Sequence, residues 1–95
     1  MTPAVFHRLA RRELADAVEY YKQVGHGPAF VAQIRRTIVR IRRFPESAPR
    51  VRGAVRRVVV AKYPYALLYS VDTSMVRILA VAHQRRDPEY WIERT

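Results

Sequence analysis

The residues best suited to chemistry are basic or aromatic and lie in two segments of the second half of the chain. One segment opens a run of apolar residues and the other follows the last such run; together they hold Arg56, Arg57, Lys62, His83, Arg85, Arg86 and Tyr90. Metal-free cleavage of RNA needs a general base, a general acid and cations that stabilise a charged phosphorane. A histidine can serve as acid or base, arginines can hold a phosphate, and a tyrosine can stack on a base. We therefore treat this set as a candidate nuclease site.

A structural interpretation of the same residues stays open. A histidine at a strand end often makes a structural hydrogen bond, an arginine pair is often solvated, and Tyr90 with Trp91 could belong to the core. Other chemistries have no support: the chain has no cysteine, its three histidines are far apart, and its three glycines leave little scope for a phosphate-binding loop. We expect no metal and no cofactor.

The net charge of +10 is concentrated in the middle of the chain. Ten of the 18 basic residues lie between Arg35 and Lys62, where Glu46 is the only acid. Such a segment attracts polyanions or an acidic protein, although a solvated surface is the simpler alternative. No apolar run approaches the roughly 20 residues that span a bilayer, and the N-terminus is too charged for a signal peptide. We expect one cytoplasmic domain over residues 1–95, with no membrane contact.

Periodicity predicts a first helix from His7 to Val24. Its inward residues recur at spacings of four, three, four and three, namely Ala10, Leu14, Ala17, Tyr21 and Val24. Gly25 is a natural helix stop, because glycine tolerates the left-handed backbone conformation that ends many helices.

A second helix is predicted to begin at Gly27-Pro28 and to end before Pro45. Its inward residues are Phe30, Ile34, Ile38 and Ile41, and Arg36, Arg40 and Arg43 project from the opposite side. Two amphipathic helices joined by so short a link predict an antiparallel hairpin that buries its apolar side on a sheet.

Three apolar runs between Val55 and His83 predict an antiparallel meander. Thr2 to Phe6 could add a short edge strand, 46–54 reads as a loop, and Asp87-Pro88-Glu89 predicts the start of a short C-terminal helix. The fold class is therefore α+β, with a helix hairpin on one face of a three- to four-stranded antiparallel sheet. Because the strands are apolar on both faces, the second face needs a cover: the terminal segment, a second copy, or a partner chain, which we favour.

The order of these segments resembles the RelE/ParE superfamily of toxins from bacterial type II toxin-antitoxin modules. The similarity covers FHRLARRELADAVEYY in the first helix, then RRVVVAKYPYALLYSV and VRILAVAHQRRDPEYW. Its most specific parts are Tyr63-Pro64-Tyr65 and the ending AVAHQRRDPEYW. The resemblance implies a compact α/β toxin that forms a hetero-oligomer with a cognate antitoxin.

The superfamily divides by activity, and the ending HQRRDPEYW looks more like its ParE side. The resemblance therefore implies a toxin that inhibits DNA gyrase. A ribosome-dependent mRNA endoribonuclease of RelE type and a non-toxic antitoxin-binding module are the alternatives. In a nuclease the catalytic residues would be Arg57, Lys62, His83, Arg86 and Tyr90. Residues expected to contact the antitoxin or the target are Arg36, Arg40, Arg43, Arg56, Arg85 and Trp91.

Overall fold

The computed structural model describes residues 1–95 and confirms both predicted helices. Helix α1 spans Arg8–Gln23 and helix α2 spans Gly27–Arg43, each within one or two residues of the sequence prediction. At the start of α1, His7 Nδ1 accepts a hydrogen bond from the Leu9 backbone N–H at 3.0 Å, which satisfies one of the unpaired donors of the first turn.

The link between the helices depends on Gly25, whose φ is +84°. A residue with a side chain is strained in this left-handed conformation, so glycine at this position ends α1 and permits the reversal into α2. Val24, which was predicted to face inward, is instead half exposed at this link. The prediction fails because the helix has already ended at Gln23, so the helical periodicity no longer sets where the Val24 side chain points.

The predicted meander is confirmed, but it is part of a larger sheet. Its strands are β3 (Val55–Val59), β4 (Tyr65–Val71) and β5 (Val76–His83), paired antiparallel. Strand β1 (Ala4–Phe6) lies beside β5 and strand β2 (Arg50–Arg52) beside β3, giving the order β1-β5-β4-β3-β2.

Two sheet predictions are corrected by these outer strands. The sheet has five strands and is mixed rather than wholly antiparallel, because β1 runs parallel to β5 with Ala4 opposite Val76. The segment 46–54 is not all loop: β2 forms a short hairpin with β3, and the turn between them includes Gly53 at φ +54°. A three-residue strand is too short to show a periodic pattern in sequence, which is why β2 was missed.

The main core lies between the helices and one face of the sheet. The strands contribute alternate residues to this core, among them Val58, Leu67, Tyr69 and Ile78. The helices contribute Ala10, Ala17, Phe30, Ile34 and Ile41. The alternation places the intervening residues on the opposite face, except at a bulge in β5, where Leu68 and Tyr69 pair with Ala80 and Ile78 and the adjacent Leu79 and Ala80 both join the cluster on that face.

That opposite face is covered by the chain itself. Trp91, which is 3% exposed, forms a second buried cluster with Val55, Leu68, Leu79 and Ala80. The prediction that a foreign chain covers this region is therefore wrong for the area under Trp91. Val59, at the margin of the area that Trp91 covers, remains 57% exposed.

The C-terminal segment, residues 84–95, is less helical than predicted. Asp87 Oδ1 does accept a hydrogen bond from the Glu89 N–H at 3.0 Å, as a helix cap would, but turns follow and only Ile92–Arg94 form a short 3₁₀ helix. Packing of Trp91 on the sheet fixes the path of this segment, and its backbone follows that path instead of a regular helix. Neither α1 nor α2 is long and apolar enough to cross a membrane.

Candidate functional site

A groove lies where the C-terminal segment folds back over the second face of the sheet, and we call it the tail groove. Its cavity volume is about 240 Å³. Ala66, Leu68 and Ala82 from β4 and β5 form part of its lining. Its charged and aromatic lining consists of Arg52, Arg57, His83, Arg86, Asp87, Glu89, Tyr90 and Trp91. Four of the five residues predicted as catalytic in a nuclease therefore line one groove.

Strand pairing alone would not bring these residues together. Arg57 lies opposite Leu68, and Leu68 lies opposite Ala80, three residues before His83 on β5. The turn after β5 closes this gap, with Gln84 N–H bonded to the Pro64 carbonyl at 2.9 Å and Arg86 N–H to the His83 carbonyl at 2.9 Å. The chain then returns along the sheet, and Arg86 and Tyr90 join Arg57 in the tail groove.

The cations of the tail groove differ in their partners. Arg52 Nη1 pairs with Glu89 Oε2 at 2.9 Å, an exposed ion pair that links β2 to the C-terminal segment. Neither Arg57 nor Arg86 has a carboxylate within ion-pair distance. Two guanidinium groups are therefore available to an anion in the tail groove.

Two arginines contact the ring of Tyr90. The guanidinium carbon of Arg86 lies 3.9 Å from the centroid of its ring and that of Arg94 lies 4.9 Å from it. Its hydroxyl is 3.5 Å from the Val81 carbonyl oxygen. Burial and the nearby Glu13 carboxylate raise the pKa of the Tyr90 hydroxyl well above its usual range. The phenol therefore ionises less readily than a free tyrosine, and two guanidinium groups lie over its ring.

Behind Tyr90, Glu13 and Arg94 join α1, β5 and the C-terminus. Arg94 donates to both carboxylate oxygens of Glu13, and its Nη1 also donates to the Leu79 carbonyl at 3.0 Å. Glu13 Oε1 accepts the Val81 N–H at 3.0 Å, where β5 extends past the end of β1 and has a free edge. The carboxylate thus replaces a neighbouring strand, and hydrogen bonding to it raises the pKa of Arg94.

His83 is placed by two contacts. Its ring meets Tyr65 edge to face with centroids 5.1 Å apart, and its Nδ1 accepts the Arg85 N–H at 3.1 Å. The neutral ring with Nδ1 as acceptor carries its proton on Nε2. No carboxylate hydrogen-bonds the ring, so His83 lacks the partner that orients the imidazole in many catalytic sites.

The remaining predicted site residues lie elsewhere. Lys62 is exposed in the turn between β3 and β4, with φ +71°, and does not line the tail groove. Arg85 is exposed in the turn after β5 and is likewise outside the lining. The proposed catalytic set is therefore brought together without Lys62.

The residues predicted to contact a partner fall into two kinds. Arg36, Arg40 and Arg43 are exposed along α2, as their spacing predicted, and we call them the α2 stripe. Arg56 instead donates through Nη1 to the carbonyls of Glu46 and Ala48, at 2.9 and 2.6 Å. Trp91 is buried, so both Arg56 and Trp91 have internal structural roles.

Sequence reasoning missed Glu13, Arg52 and Arg94. A signal existed for Glu13, which falls three residues after Ala10 and four before Ala17, at the edge of the inward stripe of α1. A carboxylate at such a position needs an internal partner. Nothing comparable marks Arg52 or Arg94, whose partners are 37 and 81 residues away.

The tail groove can therefore hold an anion, and the raised pKa of Tyr90 makes its phenol a poor base, although the phenol can still donate a proton. It offers the Arg57 and Arg86 guanidinium groups, one imidazole and the Tyr90 phenol. No group of three or more His, Cys, Asp or Glu side chains is arranged to hold a metal ion.

Comparison with known proteins gives one family. A model described as ParE toxin of type II toxin-antitoxin system, parDE, matches residues 4–88. Among solved structures, one described as the chromosomal ParDE TA system from P. aeruginosa matches with a TM-score of 0.65 and 15% identity, over 87% of this chain and 96% of that chain. At that identity the likeness supports the fold alone. No curated protein matches the sequence at a significant level.

Proposed function

Because the chain belongs to the ParE toxin family of type II toxin-antitoxin systems, we propose that it inhibits DNA gyrase and is neutralised by a cognate antitoxin in the cytoplasm. The family match over residues 4–88 is the observation that carries this proposal. The chemistry of the tail groove supports it, since the raised pKa of Tyr90 disfavours its use as a base and His83 has no carboxylate to orient it.

The test is a supercoiling assay with purified protein, gyrase, ATP and relaxed plasmid. We expect inhibition of supercoiling by the wild-type chain. A parallel translation reaction with intact ribosomes measures whether the same protein cuts mRNA. Unimpaired supercoiling together with mRNA cleavage would overturn the gyrase proposal.

A ribosome-dependent endoribonuclease is the second candidate, because one observation favours it: Arg57, His83, Arg86 and Tyr90 line the same groove. In that case His83→Ala and Arg86→Ala each lower the rate of mRNA cleavage by about 100-fold or more. This is the effect expected for loss of a general acid or of a phosphorane-stabilising cation. Arg12→Ala, on the exposed side of α1, is the charge-matched control for Arg86→Ala. If neither assay responds and expression leaves growth unchanged, the chain is a non-toxic antitoxin-binding module.

We assign the antitoxin contact to the α2 stripe. Its three arginines are exposed, lie on one side of α2 and have no carboxylate partner within the chain. An acidic antitoxin segment would supply that partner. Arg40→Asp is expected to weaken the toxin-antitoxin complex at least tenfold without unfolding the toxin. Arg12→Asp on α1 reverses the same charge elsewhere, and equal weakening by both variants would argue against a contact at this stripe.

We assign the gyrase contact to the unpaired Arg57 and Arg86 of the tail groove together with the exposed Arg85, which precedes Arg86 in the turn after β5. The prediction is that Arg85→Ala weakens inhibition of supercoiling while the complex with the antitoxin is unchanged. An Arg85→Ala variant with full inhibitory activity would remove Arg85 from the contact.

A further inference from the structure

A second cationic groove lies at the other end of the sheet, and Arg43 is the only residue of its lining that also belongs to the α2 stripe. We call it the turn groove, because the β4–β5 turn at Asp72, Thr73 and Ser74 forms one wall. Its other walls carry four arginines from three parts of the chain, which are Arg42, Arg43, Arg50 and Arg56. We propose that the turn groove binds the phosphate backbone of duplex DNA.

Two of these arginines are held in place by main-chain carbonyls. Arg42 Nε donates to the Thr2 carbonyl at 2.9 Å, while Thr2 N–H donates back to the Arg42 carbonyl at 3.1 Å. Arg56 uses Nη1 alone for its two carbonyl contacts. Both guanidinium groups therefore keep other N–H donors free, and their positions are fixed before an anion arrives. Such pre-organisation lowers the entropy that binding costs.

The turn groove has a net positive charge, even when the negative charges that line it are included. Glu46 and Asp72 also line it, and the C-terminal end of α2 adds a partial negative charge of about one half. None of the four arginines forms an ion pair with either carboxylate. The Asp72 carboxylate instead accepts the Thr73 N–H at 2.7 Å. Four guanidinium groups outweigh these charges.

The shape and composition favour a phosphate backbone over an acidic peptide. The turn groove is broad and open, at about 760 Å³, and its apolar lining residues are Met1, Pro45, Ala54 and Val71, none of them aromatic. Protein partners gain most of their affinity from apolar and aromatic anchors in enclosed pockets. Duplex DNA needs no such pocket, because release of counterions from its phosphates drives association.

The experiment measures binding of the purified chain to a 20-base-pair duplex, chosen as a test length of about two helical turns, by fluorescence anisotropy across a salt series. The test variant is Arg43→Gln with Arg50→Gln, because both side chains are exposed and neither makes a side-chain hydrogen bond within the fold. The control is Arg35→Gln with Arg36→Gln, which removes the same charge from exposed positions of α2 outside the groove. We expect the test variant to reduce the slope of log K against log salt by about 1 to 2, and the control by clearly less.

Two outcomes would overturn the inference. Equal loss in the test and control variants would mean that DNA responds only to net charge. If binding of polyglutamate depends on Arg43 and Arg50 but binding of DNA does not, the groove belongs to acidic polypeptides. Because no gyrase is present, failure here leaves the proposed gyrase activity untouched, and failure of the supercoiling assay leaves this result standing.

Discussion

Arg94 and Glu13 lie 81 residues apart in sequence and form a two-pronged ion pair, Nη1 to Oε1 at 2.9 Å and Nη2 to Oε2 at 3.0 Å. Their side chains are 11% and 17% exposed. The pair ties the C-terminus to α1, and the same carboxylate caps the free edge of β5 at Val81. It therefore fixes the segment that forms one wall of the tail groove.

Breaking this pair is expected to be costly. Arg94→Met should lower the free energy of unfolding by about 2 to 3 kcal/mol, because the Glu13 carboxylate stays partly buried with only the Val81 N–H as a partner. Urea denaturation measures the change. Arg52→Met is the control, since the Arg52–Glu89 pair is exposed on both sides and such pairs contribute about 1 kcal/mol or less. Equal effects of the two variants would contradict the role given to Glu13.

Trp91 is expected to be the main anchor of the C-terminal segment. Trp91→Ala should cost about 3 to 5 kcal/mol, because it leaves a large cavity over Leu68, Leu79 and Ala80. Phe44→Ala removes an aromatic ring that is 61% exposed and should change stability by less than about 0.5 kcal/mol. Thermal or urea unfolding of both variants compares them. A small effect at Trp91 would mean that the segment packs differently.

The helix face of the core can be tested at Ile34, which is 3% exposed in the main cluster. Ile34→Ala should destabilise the fold by about 2 to 5 kcal/mol through lost burial and the cavity that remains. Val39→Ala, five residues further along α2 and on its exposed side, should cost less than about 0.5 kcal/mol. The two urea midpoints decide whether α2 is oriented as described.

The stability of the fold should depend on pH through His7. Burial lowers the pKa of the His7 imidazole, and the nearby Arg94, Arg77 and Arg8 lower it further. Since the unfolded chain then binds the proton more tightly, the contribution of His7 is complete above about pH 6.5 and is lost as pH falls through the folded-state pKa. Protonation also removes Nδ1 as an acceptor for the Leu9 N–H.

His7→Asn isolates this effect, because asparagine can also cap a helix but does not titrate. The measurement is the free energy of unfolding at several pH values between 7.5 and 5. We expect the loss of stability on acidification to be smaller in His7→Asn than in the wild type. His26→Asn is the matched control: His26 precedes α2 but makes no side-chain capping bond. An unchanged pH dependence in His7→Asn would contradict the assignment.

Sequence patterns predicted the parts of this fold that depend on local periodicity. The spacing of apolar residues located α1 and α2, Gly25 and Pro45 marked their ends, and the apolar runs gave β3, β4 and β5. The exposed α2 stripe followed from the same spacing. These predictions succeeded because a helix or strand repeats its pattern over several residues.

The tertiary structure decided what no local pattern carries. The pairing of β1 with β5 joins residues more than 70 positions apart, β2 is too short to show a pattern, and the path of residues 84–95 depends on where Trp91 finds apolar surface. That path brings Arg86 and Tyr90 to Arg57 and leaves Lys62 outside. The residue types were therefore fixed by the sequence alone, whereas their convergence depends on contacts between distant segments, which form only when the apolar faces of helices, sheet and tail are buried together.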